Sequence, residues 1–484
     1  MIIIGGGISA TFLCLSIFKL NPEFKILIIE KSTQFPQKVG ESIIDLTSLY
    51  IKTLGIDHIL DKQKVKSGVR YLFNESNSED LSLLSEFASP TRPGFIKGYH
   101  VNRSTFDQDL LDEVIQKGVT VYRPANIVKL DCSLFNTNID IDFNNDIHYV
   151  NSKWIVDASG RSRYIPTQLK WQDKQTDLNT GAIMAHFKNI SSSDLWDTPK
   201  NEIWDKTAIG KREFSTTHLL RKNCWWWIIR LDDNITSIGV VYDKNNMQFD
   251  EPETHFKILL ETDSQLSIIT KDAEIIKLKS FDSLPYVCEQ LHTKGIALIG
   301  ESGAFLDPLL APGIELITQQ TIWLADLLTQ DKKTGIYNPK AWRKYSTTFQ
   351  KAYQSRLKIY ETVYHFIHSY DIFTTFLKQG NYVYFSWLIY PSVLSKRRLK
   401  YPLILNKIER LALTYFSKRF IVISKKRTLQ HRLSITKPNT ISYSGVGVPK
   451  SIFFLYIPIQ LLFKSVFAYL KLELTELKYV FKKQ

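Results

Sequence analysis

The sequence predicts an α/β fold: a doubly wound nucleotide-binding unit, an antiparallel β-sheet interleaved with it, and a mostly helical C-terminal region. Three observations carry this. The chain opens on an apolar run broken by three glycines, MIIIGGGISATFLCLSIFK, and a second apolar run meets a glycine turn in GIALIGESGAF from Gly295. Between them, segments such as CWWWIIRL (Cys224–Leu231) have the composition of buried strands. From Asp331 onward there are 28 Lys+Arg against 6 Asp+Glu, although the whole chain is only +14. The predicted division is therefore 1–330, with the sheet occupying approximately 60–100 and 170–290, and a basic helical region over 331–484.

The opening segment reads as a strand, a tight turn and a helix. Gly5, Gly7 and Ala10 form G-x-G-x-x-A. The first glycine permits the turn and the second lets backbone approach a pyrophosphate. The small third residue lets helix pack on strand, and the helix N-terminus faces the phosphates. FKILIIEK follows as a second strand ending at Glu30, where an acid can bind a ribose hydroxyl. FAD and NAD both fit this much.

Four later stretches favour FAD. VGES places Glu41 and Ser42 before a helical run, and YHVNRSTFDQDLLDEV sets Arg103 at a helix start. WIVDASGRSRYIP is a strand ending at Asp157 with a small-residue turn. In GESGAFLDPLLAPGIELI, a strand runs into Gly300 and Glu301, and a Pro/Gly-broken loop leads to a helix expected near Ile314. The positive end of that helix suits negative charge on a reduced flavin ring.

The order of GGGISA, VGES, the Arg–Phe–Asp helix, DASGRS and GESGAFLDP resembles the glutathione-reductase-type FAD fold of aromatic hydroxylases, geranylgeranyl reductases and flavin-dependent halogenases. The segment Thr216–Val241 is similar to the halogenase stretch built around W-x-W-x-I-P, supplying Trp225, Trp227 and Ile229, with Arg230 in the proline position. Thr217, His218 and SIGVV fit as well. The resemblance covers roughly residues 1–330 and implies a reaction in which FADH2, O2 and chloride or bromide yield hypohalous acid. That acid travels down an internal tunnel to a lysine and halogenates an electron-rich arene.

Further residue roles follow from the same likeness. Trp225 and Trp227 would stand as a barrier between flavin and substrate; in a strand they share a face while Trp226 takes the other. Lys66 in KVKSGVRYLF matches the tunnel lysine, with Lys64 the alternative. Burial would lower its pKa and free its lone pair. Leu310 occupies the position of the catalytic glutamate of tryptophan-type enzymes, which points to the phenol or pyrrole group. Halide would meet the Gly313 N–H, since Pro312 has none to give. Glu301 replaces the usual Asp. His100, His186 and His218 are expected to be structural, Tyr286 to line the cofactor pocket, and Tyr360, Tyr364 and Phe366 to border the substrate.

Other classes fit less well. Cys14, Cys132, Cys224 and Cys288 are scattered without a CxxC pair, so neither a metal site nor a disulfide framework is expected. The start has no signal-peptide pattern, and a cytoplasmic protein is expected. No nucleic-acid module is present in the sequence. The basic C-terminal region interleaves Lys and Arg with aliphatics, which suits either peripheral contact with anionic lipid or an acidic carrier protein presenting a tethered aromatic substrate. A separate flavin reductase is the expected source of FADH2. The competing activities are a halide-independent FAD-dependent monooxygenase and a polyprenyl reductase.

Overall fold

The computed structural model describes residues 1–74, 84–91, 96–133, 136–190, 209–394, 407–430, 441–443 and 456–481. The basic segments 395–406 and 431–440 and the first part of the apolar stretch, 451–455, lie outside the described residues.

The first strand, Ile2–Ile4, is the centre of a six-stranded sheet. It pairs in parallel with Leu27–Ile29 on one side and Ile155–Asp157 on the other. Thr120–Tyr122 extends one edge, and Ile296–Leu298 followed by His292–Thr293 the other. The alternation of side chains explains the unbroken apolar runs. Ile3, Ile28, Val156 and Ala297 pack with the helices Ile8–Leu20, Arg103–Gln116 and Pro312–Thr334. Ile2, Ile4, Ile29 and Ile155 face the opposite way, onto the antiparallel sheet Ala125–Ser133, Asn136–Phe143 and Asp146–Ser152. A strand covered on both faces needs apolar side chains at every position. Each buried Ile contributes roughly 1.5–3 kcal/mol.

The second large sheet has eight strands. Its order runs from Glu274–Phe281 through Thr180–Lys188, Thr236–Asp243, Cys224–Arg230, Ser215–Arg221, Gly68–Phe73 and Ser85–Pro90 to Ile441–Tyr443. Most neighbours are antiparallel as expected, but the sheet is mixed. Gly68–Phe73 joins Ser215–Arg221 in parallel, and so does Ile441–Tyr443 to Ser85–Pro90. Parallel neighbours need long crossovers, and both joins connect segments far apart in sequence. The C-terminal region is thus helical but also lends this sheet its edge strand.

The tryptophan run splits across the sheet. Trp226 goes to the face covered by Pro252–Thr262, 5.5 Å from the Phe256 ring. Trp225 and Trp227 go to the other face, toward Tyr353, Leu357 and Tyr360 of the helix Pro339–Val363. The helices Lys407–Leu429 and Tyr456–Phe481 complete that layer. Pro458 sits in the first turn of the last helix, where a missing N–H costs least. No helix among the described residues is long and apolar enough to cross a membrane.

Candidate functional site

A single cavity of about 1290 Å³ runs between the two sheets. It exceeds the roughly 300–1,000 Å³ of an ordinary small-molecule site. Its wall holds Gly5, Gly7, Glu30, Ser42, Arg103, Glu301, Gly313 and Ile314. The same wall includes Lys66, Trp225, Trp227 and Tyr360, and also Phe416, Val466 and Tyr469 of the C-terminal helices. Most of the residues singled out from widely separated stretches therefore converge on one space.

The nucleotide end is shaped by backbone. Gly5 has φ +93°, and a Cβ there would lie 2.7 Å from the Ala158 carbonyl oxygen. Gly5→Ala is therefore expected to distort the turn and to abolish flavin retention, measured as loss of bound yellow chromophore after purification. The Glu30 carboxylate accepts from the N–H of Gly6 (2.7 Å) and of Ser32 (2.8 Å), holding the loop while facing the cavity. Arg103 reaches the wall already committed. It makes two bonds to Asp107, of 2.8 and 3.0 Å, and a third to the Val39 carbonyl at 2.9 Å, tying the VGES loop to the helix. Glu41 accepts from His186 Nε2 at 2.6 Å.

Three expected cofactor residues stand behind the wall rather than in it. Both oxygens of Asp157 accept backbone N–H groups, from Ser159 at 2.8 Å and Ile165 at 2.7 Å, so its carboxylate shapes the turn from inside. Gly300, with φ +66°, donates its N–H to Gln320 Oε1 at 2.8 Å, and a Cβ there would run into Ser9 Oγ. Ala10 is fully buried in the helix–sheet packing. Each sits where its loop must be shaped, one layer from the ligand space. Tyr286 likewise supports the wall from behind, donating to the Glu301 carbonyl at 2.7 Å.

The helix after the 307–311 loop starts one residue before Gly313. It begins at Pro312 itself, two residues before Ile314, with Ala311 as N-cap at φ +51°. Proline at the first helical position loses an N–H that has no intrahelical partner anyway. The Gly313 and Ile314 N–H groups also precede the first intrahelical bond, and both residues line the cavity. A Cβ on Gly313 would meet only open space. Pro312 itself has no N–H to offer an anion at this end of the helix.

The lysine alternatives separate cleanly. Lys64 pairs with Asp233 at 2.9 Å near the surface, its Nζ 3.9 Å from the Phe214 ring centroid. Lys66 is buried in the cavity wall and donates to Ser42 Oγ at 2.9 Å. Burial pulls its pKa down to about 8, against the opposing pull of Asp45. Burial likewise raises Asp45 to about 6, with Lys66 opposing.

Trp225 Nε1 donates to Tyr364 Oη at 3.0 Å, and Tyr364 in turn donates to Asp307 Oδ2 at 2.5 Å. Asp307 also accepts the Leu309 N–H at 3.0 Å, so one carboxyl anchors both the indole and the 307–313 loop. Trp227 Nε1 donates to Ser237 Oγ at 3.1 Å, and the two indole centroids are 6.0 Å apart. Tyr360 and Leu310 line the cavity, whereas Phe366 packs into the core on Phe376 and Phe420. In the strand Ser215–Arg221 it is Thr216 and His218 that face the cavity; Thr217 does not line it. Asp45 and Thr216 also line the cavity; Asp45 was not legible as a site residue, and the motifs that contain Thr216 and Asp307 did not single either out.

The fit to FAD rests on this geometry. There is a glycine turn with no room for a Cβ at Gly5, an acid beyond the second strand, and two helix N-termini opening on one continuous space. The chain also matches known proteins. The family model described as Tryptophan halogenase matches residues 74–373. A 1H-pyrrole-2-carbonyl peptidyl-carrier-protein chlorinase of Pseudomonas fluorescens is 24% identical over 336 residues, 65% of this chain and 72% of the relative. A flavin-dependent halogenase of Armillaria mellea is 23% identical, over 65% of this chain and 62% of that one. Among solved structures, halogenase PltM with phloroglucinol and FAD superposes with TM-score 0.74 at 16% identity, covering 89% of this chain and 92% of that one. Brominase Bmp2 gives 0.66 at 20% identity, covering 86% and 98%. With the fold, the flavin-shaped cavity and the family match in agreement, the chain belongs to the flavin-dependent halogenases, enzymes that draw on FADH2 and a halide.

Proposed function

We propose that this enzyme halogenates an electron-rich aromatic substrate, phenolic or carrier-bound, with Lys66 delivering the halogen. The observation that carries the reading is the burial of Lys66 in the same cavity wall as Trp225 and Trp227, with its pKa pulled to about 8. When bound, the reduced flavin supplies the oxidation of halide by O2 to hypohalous acid. The protein contributes the rest. Gly5, Gly7 and the N-terminus of Ile8–Leu20 receive the pyrophosphate, and Glu30 the ribose. Gly313 and Ile314 offer their N–H groups to halide, as helix N-termini do to anions. The paired indoles keep the arene off the flavin, and the neutral Lys66 amine hydrogen-bonds the hypohalous acid or carries its halogen on nitrogen. The carrier-bound pyrrole of the Pseudomonas chlorinase and the phloroglucinol held by PltM support an electron-rich ring. A separate reductase supplies FADH2.

The test is incubation of the holoenzyme with FADH2, O2, bromide and a panel of phenols and carrier-linked pyrroles, with products weighed by mass spectrometry. Brominated arene is expected. Proline at position 312 favours a second reading, halide-independent oxygenation, and a product heavier by one oxygen that forms equally well without halide would establish it.

The C-terminal helices add a partner. On Tyr456–Phe481 the buried row is Leu461, Ser465, Ala468, Leu472 and Glu476. The opposite face exposes Phe463 (69%), Phe467 (71%), Leu470 and Leu474. Beside them run exposed Lys464, Lys471 and Lys478 at a seven-residue spacing. Lys407–Leu429 shows the same pattern with Leu411, Tyr415, Lys418, Val422 and Lys425. An apolar row flanked by lysines in a strongly basic region suits the surface of an anionic bilayer. The protein is expected to float with vesicles of phosphatidylcholine and phosphatidylglycerol but not with phosphatidylcholine alone, and Phe463→Ser with Phe467→Ser to release it. Dimeric elution without vesicle binding would assign the face to self-association instead.

A further inference from the structure

We infer that His100 is a positioning residue for Lys66, acting through Thr216 and Ser42; this rests on the role given to Lys66 above. Four side chains from four strands form one hydrogen-bonded row. Lys66 Nζ lies 2.9 Å from Ser42 Oγ, Ser42 Oγ 3.3 Å from Thr216 Oγ1, and Thr216 Oγ1 2.9 Å from His100 Nε2. At the far end His100 Nδ1 lies 3.0 Å from the Arg230 carbonyl oxygen. The register of the small sheet brings them together: Ser42 pairs with His100, and Lys66 with Gly98. At Gly98 a Cβ would stand 2.7 Å from the Ile43 carbonyl and 3.4 Å from Lys66 Cδ, so the absence of a side chain makes room for the lysine stem.

The direction of every bond follows from the last one. A carbonyl only accepts, so His100 Nδ1 carries the proton and, in a neutral ring, Nε2 can only accept. The ring is neutral because burial, with Lys66 close by, pushes its pKa down to about 3. Thr216 must then donate to His100, which leaves its oxygen to accept from Ser42. Ser42 has given its proton away and can only accept from Lys66. The consequence lies on the Lys66 nitrogen: one N–H is committed to Ser42, and no hydroxyl proton of the row caps its lone pair, which stays available to the cavity. The other ionisable groups sensing Lys66 are Asp45, which raises its pKa, and His218, buried and held neutral with its own pKa near 3.

Cutting the row frees the Ser42 proton to turn toward the amine. That removes a polarised acceptor for the ammonium form and covers the lone pair of the neutral form, so basicity and reactivity fall together. The test uses Thr216→Val, which removes the hydroxyl at nearly constant volume, and Thr216→Ser, which restores it. Lys66 is titrated in the flavin-free protein by competitive acetylation with peptide mass readout, and bromination is measured separately on the holoenzyme. Thr216→Val is expected to lower the apparent Lys66 pKa by about half to one unit and, on the alkaline plateau where the amine is neutral in both proteins, to lower kcat by about tenfold at unchanged KM. Thr216→Ser should return both, and Ser42→Ala, which removes the acceptor but leaves no hydroxyl proton to cover the lone pair, should lower the Lys66 pKa as the valine variant does. A valine variant that titrates and brominates like the wild type overturns the inference, as does a serine variant that fails to restore the titration. Wild-type bromination by Lys66→Ala would overturn the role of Lys66 itself, a result distinct from the titration, which judges the row alone.

Discussion

Lys66→Met is expected to lose halogenation by roughly 10²-fold or more, the scale of a positioned reacting side chain, while retaining flavin and gaining stability. Both effects have one origin. The amine is held in the folded protein with its pKa lowered from 10.5 to about 8, chiefly by burial. In the unfolded chain it returns to 10.5. Between these values the unfolded state binds a proton that the folded state has released, so stability rises with pH across that window. Below about pH 8 the fold carries the cost of a buried charge, on the order of 3 kcal/mol. Methionine removes the charge at similar length, so denaturant unfolding at neutral pH should shift toward greater stability. Wild-type activity should show an acid limb with a midpoint near 8, because only the neutral amine has a lone pair. At pH 7 about a tenth of the molecules would be competent. An unchanged midpoint of unfolding in the methionine variant, or a flat pH profile from 6 to 9, would contradict this account.

Trp225→Ala is the second large effect. The indole is buried, 1% exposed, and its N–H meets the Tyr364 oxygen. Removing a buried aromatic of this size costs about 3–5 kcal/mol through lost burial and the cavity left behind. Function should suffer in a different currency. With the barrier opened, FADH2 is still consumed but the yield of halogenated arene per FADH2 falls, and oxygenated by-product rises. Trp225→Phe separates the two contributions. It keeps most of the apolar area but loses the bond to Tyr364, so it should cost about 1 kcal/mol more than wild type and hold most of the coupling. A phenylalanine variant as uncoupled as the alanine one would mean that the hydrogen bond, not the ring, does the separating.

Much of this molecule could be read along the chain, and what could be read was local. GGGISA reports a turn because Gly5 must take φ +93° against the Ala158 carbonyl. Alternation in CWWWIIR reports two faces because a pleated strand leaves no other choice, and Trp226 duly parts from its neighbours. The runs III and LII report strands sandwiched on both sides. The resemblance preferred Lys66 but left Lys64 as the alternative, since two residues apart on a short strand they share a face. Pairing with Gly98 on the neighbouring strand, and room for the stem there, sends Lys66 inward.

Asp157 and Gly300 mark the other boundary. Their motifs located the right loops, but whether an acid faces a ligand or props a turn depends on which backbone N–H groups lie within 3 Å of it, and Ser159 and Ile165 claim Asp157. The row from Lys66 to Arg230 spans positions 42, 66, 100, 216 and 230 with no pattern joining them. By itself the sequence determined the strands, the turns, the flavin-type order of motifs and the paired indoles, because these follow from steric and apolar preferences acting over a few residues. Only the tertiary structure decided which lysine is buried, which motif residues line the cavity and which way the hydrogen bonds run, because those depend on contacts between segments that meet only when the chain closes on itself.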